Sequence, residues 1–326
     1  MKAILCQEFG PASNLKLVEL ADPVPGPGEV LVDVEAVALN FFDTLIIRDR
    51  YQLKPPLPFS PGGEMAGTVA AVGPDCSVAV GTRVVAYTKF GAARQKLVLP
   101  EDEVMPVPDG VSAEIAASLP IAYGTTLHAL KDRADLQPGE TLAILGASGG
   151  VGQAAIEIGK LMGARVIACA SSDDKLAFCR DMGADATVNY ETEDLKTRLR
   201  ELTDGVGVDV IYDAVGDRFS EPALRACAWG GRHLVIGFAA GEIPKIPLNL
   251  LLLKGCDLRG VFWGEHVVRE PELFAENMAQ LLDWIATGAL KPHVHAVYPM
   301  AEFATALDDI ASRRAKGKVV VRIEHD

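Results

Sequence analysis

Aromatic residues are scarce in this chain of 326 residues, at 6%, and cysteine is scarcer still, with six in all. Cys6, Cys76, Cys169, Cys179, Cys227 and Cys256 are too scattered to form a C-x-x-C pair or a disulfide framework. A cysteine-built zinc site is therefore not expected, and each thiol reads as a small buried hydrophobe. Basic residues are in deficit, since 31 Lys and Arg face 44 Asp and Glu for a formal charge of −13. Such a surface repels polyanions, so no nucleic acid partner is expected. Long apolar runs are also missing. The LLLL at 250–253 is far too short to span a bilayer, and the opening MKAILCQEFG has no apolar h-region. No membrane partner is expected, and the expected location is cytoplasmic.

What remains is a chain with 49% hydrophobic residues and 31 glycines, longer than one core usually supports. Two domains follow. The first hundred or so residues alternate β-rich runs with turn punctuation: LKLVEL, DPVPGPG, EVLVDVEAVAL, GTVAAVG and GTRVVAY. Helix-sized stretches begin near residue 112 with SAEIAASLP and GTTLHALKDRA. Strand and helix then alternate through TLAILG, VGQAAIEIGKLMG, RVIACA, DDKLAFCRDMG, ATVNY, DVIYDAVG, RHLVIGF and DLRGVFW. That alternation predicts a doubly wound parallel sheet. A further helix is predicted at about 270–287, and the tail returns to strand, helix, strand.

The segment TLAILGASGGVGQAAIEIGK sets Gly146, Gly149 and Gly152 in a G-x-x-G-x-x-G series between a buried strand and an apolar-periodic helix. Glycine lets backbone approach a pyrophosphate, whose charge meets the free N–H groups at the helix start. Ser148, Gly150 and Val151 share that turn and are candidate cofactor contacts. The second strand ends at Ala170, Ser171 and Ser172, where an NAD site usually carries an acid. Hydroxyls and Lys175 suit a 2′-phosphate better, so NADPH is the expected cofactor. Asp173 and Asp174 follow directly and read as helix N-terminal charges.

Taken together, ALNFFDTLIIRDRYQ, PFSPGGEMAGTVAAVG, YGTTLHAL, GASGGVG and GKVVV resemble the medium-chain dehydrogenase/reductases, and within them the zinc-free NADPH:quinone oxidoreductases related to zeta-crystallin. The resemblance spans the chain. It implies an α/β protein with a GroES-like catalytic domain at 1–118, a Rossmann dinucleotide-binding domain at 119–262 and a return to the first domain over 263–326. It implies catalytic roles for Asn40 and Tyr51, near the nicotinamide and the substrate. It places Thr125 at the nicotinamide, and Lys175, Tyr190 and Arg313 at the adenosine 2′-phosphate. Val215, Gly216, Gly237, Phe238, Phe262 and Trp263 fall at strand ends, where open α/β sheets bind ligands.

Relatives that use zinc carry Gly-His-Glu where this chain has Gly62-Gly63-Glu64, and His128, His233, His266, His293, His295 and His325 are dispersed along the sequence. No metal is therefore expected. A bound nicotinamide can carry hydride chemistry by itself, so reduction of a quinone is the leading expectation. Reduction of an enone or enoyl thioester is the alternative within the class. A cofactor-binding structural or RNA-binding protein of crystallin type is the alternative outside it. A homodimer is expected, because the Leu-rich run and the last strand of the sheet form an apolar edge.

Overall fold

A computed structural model describes residues 1–325. The described residues divide into two units, one formed by residues 1–122, 280–288 and 292–325, the other by 123–279 and 289–291.

The first unit is built on a seven-stranded sheet in the order Val294–Pro299, Lys318–Arg322, Glu29–Leu39, Glu64–Val72, Arg83–Tyr87, Val104–Pro106, with Lys96–Pro100 also paired to Glu29–Leu39. Strand Glu29–Leu39 organises it. Along EVLVDVEAVAL alternate residues turn inward, so Val30, Val32 and Val34 are fully buried while Glu29, Leu31 and Asp33 are only partly so. Period-2 burial of β-branched residues is what a half-buried antiparallel strand requires. Their core takes in Ile4, Ile46, Phe59, Met65 and Phe303.

The second unit carries six parallel strands in the order Ala186–Asn189, Arg165–Ala170, Thr141–Leu145, Val208–Asp213, Cys227–Val235, Asp257–Gly260. Strand Thr141–Leu145 lies centrally and the chain winds outward from it in both directions, the doubly wound order. Leu142, Ala143, Ile144 and Leu145 are all fully buried, as a strand covered on both faces demands.

The structure corrects the expected boundary of the C-terminal return. It begins at Gln280 rather than at 263. Residues 263–279 stay with the second unit because Trp263 packs on Gly124, His266 stacks on His128, and Asn277 bonds to Asp132 and Lys131. The last strand of the parallel sheet is also shorter than DLRGVFW suggests. It stops at Gly260, and Trp263 opens a helix, Trp263–Arg269.

Candidate active site

The glycine turn follows strand Thr141–Leu145 in the second unit. Gly146 takes φ +74°, and the Gly146 and Ala147 N–H groups both donate to the Cys169 carbonyl at 3.0 and 3.1 Å, pinning the turn to the next strand. Gly149 precedes helix Gly150–Leu161 and provides no side-chain cap, so the first N–H groups of that helix are open to a ligand. A Cβ on Gly152 would stand 2.3 Å from the Gly146 oxygen and 2.6 Å from Ala147 Cα. Helix and turn therefore meet backbone to backbone. The Thr126 hydroxyl steadies this corner, bonded to the Val151 carbonyl at 3.3 Å and the Tyr212 hydroxyl at 2.9 Å, with Thr125 buried beside it.

At the end of strand Arg165–Ala170, Lys175 Nζ donates to Ser171 Oγ at 3.2 Å. The Ser172 hydroxyl caps helix Asp173–Asp181 by accepting from the Lys175 N–H. Asp173 is tied to Asn189 Nδ2 at 2.9 Å within the first helical turn. Both acids thus belong to the helix, and the strand end itself carries only Ala170 and the two serines. The half-buried Tyr190 ring lies 4.4 Å from Phe219.

Two loops meet at the carboxyl ends of the next strands. Ala239 and Ala240 donate to the Ala214 and Val215 carbonyls, and a Cβ on Gly216 would lie 2.8 Å from Phe238. This sets Val215, Gly216, Gly237 and Phe238 together, with Val215 also against Gly146. Their organiser is Asp213, which the sequence reading missed. Its buried Oδ1 accepts from the Val215 and Gly216 N–H groups at 3.0 and 2.9 Å, while Oδ2 accepts from Ser220 and meets His233 Nε2. Burial pushes this carboxyl up, but the His233 hydrogen bond and the other donors outweigh it and hold it below the ordinary carboxylate range. Phe262 is exposed, whereas Trp263 is buried against Gly124 and Phe274, so packing accounts for the Trp263 ring. Arg313 lies in the first unit, exposed, at φ +58° after helix Phe303–Ala311.

In the first unit Asn40 precedes the short helix Phe41–Ile46. Its Oδ1 accepts from Lys318 Nζ at 2.7 Å and its Nδ2 donates to Glu64 Oε1 at 2.7 Å. Lys318, 1% exposed, also donates to Glu64 Oε1 at 2.8 Å and to the Leu39 carbonyl at 3.2 Å. Glu64 Oε2 accepts from the Ile121 N–H at 2.7 Å. One Asn40 N–H remains uncommitted by these bonds. Glu64 is noted in the sequence only as part of Gly62-Gly63-Glu64 and Lys318 is not singled out at all, since a lysine within GKVVV carries no local sign of burial.

This arrangement does not fit a catalytic zinc at Gly62-Gly63-Glu64. An ammonium already compensates the carboxylate, and a side chain at Gly63 would meet Phe42 Cζ at 2.4 Å.

Asp43 is the buried acid of the short helix Phe41–Ile46. It lies inside the first turn of the helix, where its Oδ2 accepts from the Asn40 N–H at 2.8 Å while the buried Oδ1 has no hydrogen-bond partner among the described residues. Burial pushes its carboxyl up to about 7. Burial also raises the Tyr51 phenol, with the Asp43 charge adding to it, and the Tyr51 ring rests 5.4 Å from Phe42.

Asp43 makes stability depend on pH. An unfolded Asp titrates near 4, so between about 4 and 7 the folded state holds the extra proton and loses stability as pH rises. The full cost above that window is roughly 4 kcal/mol, at about 1.4 kcal/mol per unit. Asp43→Asn cannot titrate, so its stability relative to wild type should improve steadily from pH 4 to 7. Urea unfolding across that range checks this, and a pH-independent difference would contradict it.

The doubly wound sheet with its glycine turn, joined to a β-rich unit, is the architecture of the medium-chain dehydrogenase/reductases. Residues 26–109 match the family of alcohol dehydrogenase GroES-like domains, and residues 150–287 match the zinc-binding dehydrogenase family. Quinone oxidoreductase-like protein 2 of Rattus norvegicus is 37% identical over 99% of this chain and 92% of its own length. Quinone oxidoreductase of Pseudomonas aeruginosa is 32% identical over 98% and 99%. The structure of Escherichia coli quinone oxidoreductase complexed with NADPH superposes with a TM-score of 0.91 at 29% identity, covering 99% of this chain and 100% of that one. The chain belongs to the quinone oxidoreductase family of the medium-chain dehydrogenase/reductases.

Proposed function

We propose that this oxidoreductase transfers hydride from NADPH to a quinone without a metal at the reacting centre. The observation that carries the reading is the glycine turn, where backbone alone fills the space beneath the start of helix Gly150–Leu161. The open N–H groups there would hold the pyrophosphate, with Ser148, Gly149, Gly150 and Val151 around it. Ser171, Ser172, Lys175 and Tyr190 would hold the adenosine 2′-phosphate, and Arg313 is proposed for the same phosphate. Thr125, Val215, Gly216, Gly237, Phe238 and Phe262 are proposed for the nicotinamide end, and Trp263 as support beneath it. When bound, the reduced nicotinamide supplies the hydride.

The chain's own residues then orient the acceptor. Asn40 keeps one N–H, held in direction by Glu64 and Lys318, with which it can donate to an acceptor carbonyl. Tyr51 is proposed as the second donor. Relatives bearing the quinone oxidoreductase name support this acceptor class. We also propose a homodimer formed through the edge strand Asp257–Gly260, where Leu248, Leu252 and Leu253 are exposed.

The test is cofactor choice. NADPH should bind more tightly than NADH, and Lys175→Ala should cut that preference by about 10- to 100-fold, the scale of one charge-assisted hydrogen bond. Fluorescence titration of both cofactors measures it. Equal affinities in the wild type, or an unchanged preference in the variant, would remove the assignment of the 2′-phosphate site.

A further inference from the structure

Two histidines that the sequence holds far apart lie face to face in the second unit. His128 and His266 stack with ring centroids 3.7 Å apart at 14°. Both are about 95% buried, each being 5% exposed. The surroundings of the two rings repeat. His128 Nδ1 meets Asp132 Oδ2 at 2.9 Å, and His266 Nδ1 meets Glu270 Oε2 at 2.7 Å, each carboxylate standing four residues further along the chain. An ionised carboxylate only accepts, so both Nδ1 atoms carry the proton and both Nε2 atoms keep a lone pair. For His266 that is the tautomer of a metal-binding histidine, with Glu270 behind the ring, whereas His128 can share an ion with Asp132 only through Nδ1, the ion displacing the proton that lies between them. His266 Nε2 is buried with no hydrogen-bond partner among the described residues. A bare buried acceptor is a cost to the fold that a cation would remove.

From this geometry we propose that His128, His266 and Asp132 form a binding site for a zinc-class divalent cation, separate from the Asn40–Glu64–Lys318 group. One ring nitrogen of each histidine and one Asp132 oxygen lie within 4.8 Å of one another. Two imidazoles and a carboxylate favour Zn²⁺ or Co²⁺ over Mg²⁺ or Ca²⁺, which prefer all-oxygen shells. Asn277 Nδ2 donates to Asp132 Oδ2 at 2.8 Å and Lys131 Nζ donates to Asn277 Oδ1 at 2.9 Å, so the carboxylate is held in place from outside the ligand set.

Stacked rings cannot both aim a lone pair at one ion. Tetrahedral ligands at about 2.1 Å from Zn²⁺ stand roughly 3.4 Å apart, so binding requires one ring to turn about χ2, which is a soft torsion. The bound ion would then join the segment His128–Arg133 to helix Trp263–Arg269, and its binding energy would add to the stability of the folded chain.

Calorimetric titration of Zn²⁺ into the chelator-treated full chain tests the site, with Co²⁺ as a spectroscopic probe. The expected result is one saturable ion per chain, a rise in Tm with Zn²⁺, and visible d–d absorption with Co²⁺. His266→Phe keeps the ring stack without the ligand, and Asp132→Asn keeps an acceptor for Asn277 without the charge. Each should weaken Zn²⁺ binding at least tenfold while the circular dichroism spectrum stays that of wild type. If His266→Phe fails to fold, Asp132→Asn decides alone. No saturable ion in the wild type, or wild-type affinity in the folded variants, would overturn the proposal.

Discussion

Lys318→Met should destabilise the protein by about 3–5 kcal/mol, the cost of stripping one partner from a buried ion pair. Lys318 and Glu64 are 1% and 0% exposed, and the ammonium has a partner for each of its three protons: Leu39 O, Asn40 Oδ1 and Glu64 Oε1. Methionine retains most of the stem's volume but leaves a carboxylate in the core with only Asn40 and the Ile121 N–H as donors. Removing that charge as well should restore much of the loss. The double variant Lys318→Met, Glu64→Gln is therefore expected to be more stable than the single one, with a coupling energy of about 1 kcal/mol or more. Urea unfolding of the three proteins measures both quantities. A loss below about 1 kcal/mol in Lys318→Met would mean that the pair adds nothing to the fold.

The second large effect is expected at the glycine turn, where two glycines should fail in different ways. In Gly152→Ala the new methyl would lie 2.3 Å from the Gly146 oxygen with Ala147 Cα on its other side, and backbone cannot step aside as a side chain can. Both stability and NADPH affinity should fall, the affinity by at least 100-fold. At Gly149 the nearest atom to an added Cβ is the Gly146 oxygen at 3.5 Å, an ordinary contact. Gly149→Ala should therefore keep its stability within about 1 kcal/mol, since this half-buried helix-start position has the extended backbone, φ −80° and ψ 174°, that alanine adopts without strain. It should still lose NADPH affinity by tenfold or more, because the methyl stands where the pyrophosphate must approach the backbone. Unfolding curves and fluorescence titration separate the two effects. Wild-type NADPH affinity in Gly149→Ala would show that phosphate does not enter there.

The elements that define the fold were legible because their signals are local. EVLVDVEAVAL alternates and forms strand Glu29–Leu39, RVIACA forms Arg165–Ala170, and the helix expected at about 270–287 is Pro271–Ala286. The same locality explains what was missed. Helical periodicity shows that residues 271–286 coil but not which unit they pack on, so the return was set at 263 instead of 280. GTTLHALKDRA reads as one helical stretch, whereas the chain tightens and loosens through Gly124–Leu127 and the π-helical turn His128–Arg133.

Side chains whose meaning lies in a distant partner were the hardest to read. Lys318 is a core residue only because Glu64 reaches it across the sheet, and Asp213 is an organiser only because the loop after its strand folds back onto its carboxylate. Six dispersed histidines suggested no cluster. Dispersal in sequence placed no limit on His128 and His266, which the fold brings into contact. Asn40 was read from resemblance, and the structure adds that its carbonyl and one N–H are already committed.

The central claim is hydride transfer from NADPH to a quinone with no metal at the reacting centre, and steady-state oxidation of NADPH by a panel of quinones and enones, set beside reduction of NADP+ by simple alcohols, tests it most directly. Turnover should be fastest with a small quinone and, where the chelated chain stays folded, unchanged by chelation, because the Glu64 carboxylate beside Asn40 is already paired with Lys318. Enone turnover above quinone turnover would move the acceptor class while keeping the chemistry. No NADPH consumption above background with any quinone or enone, loss of activity with chelator while the chain stays folded, or oxidation of a simple alcohol faster than reduction of any quinone would contradict the claim.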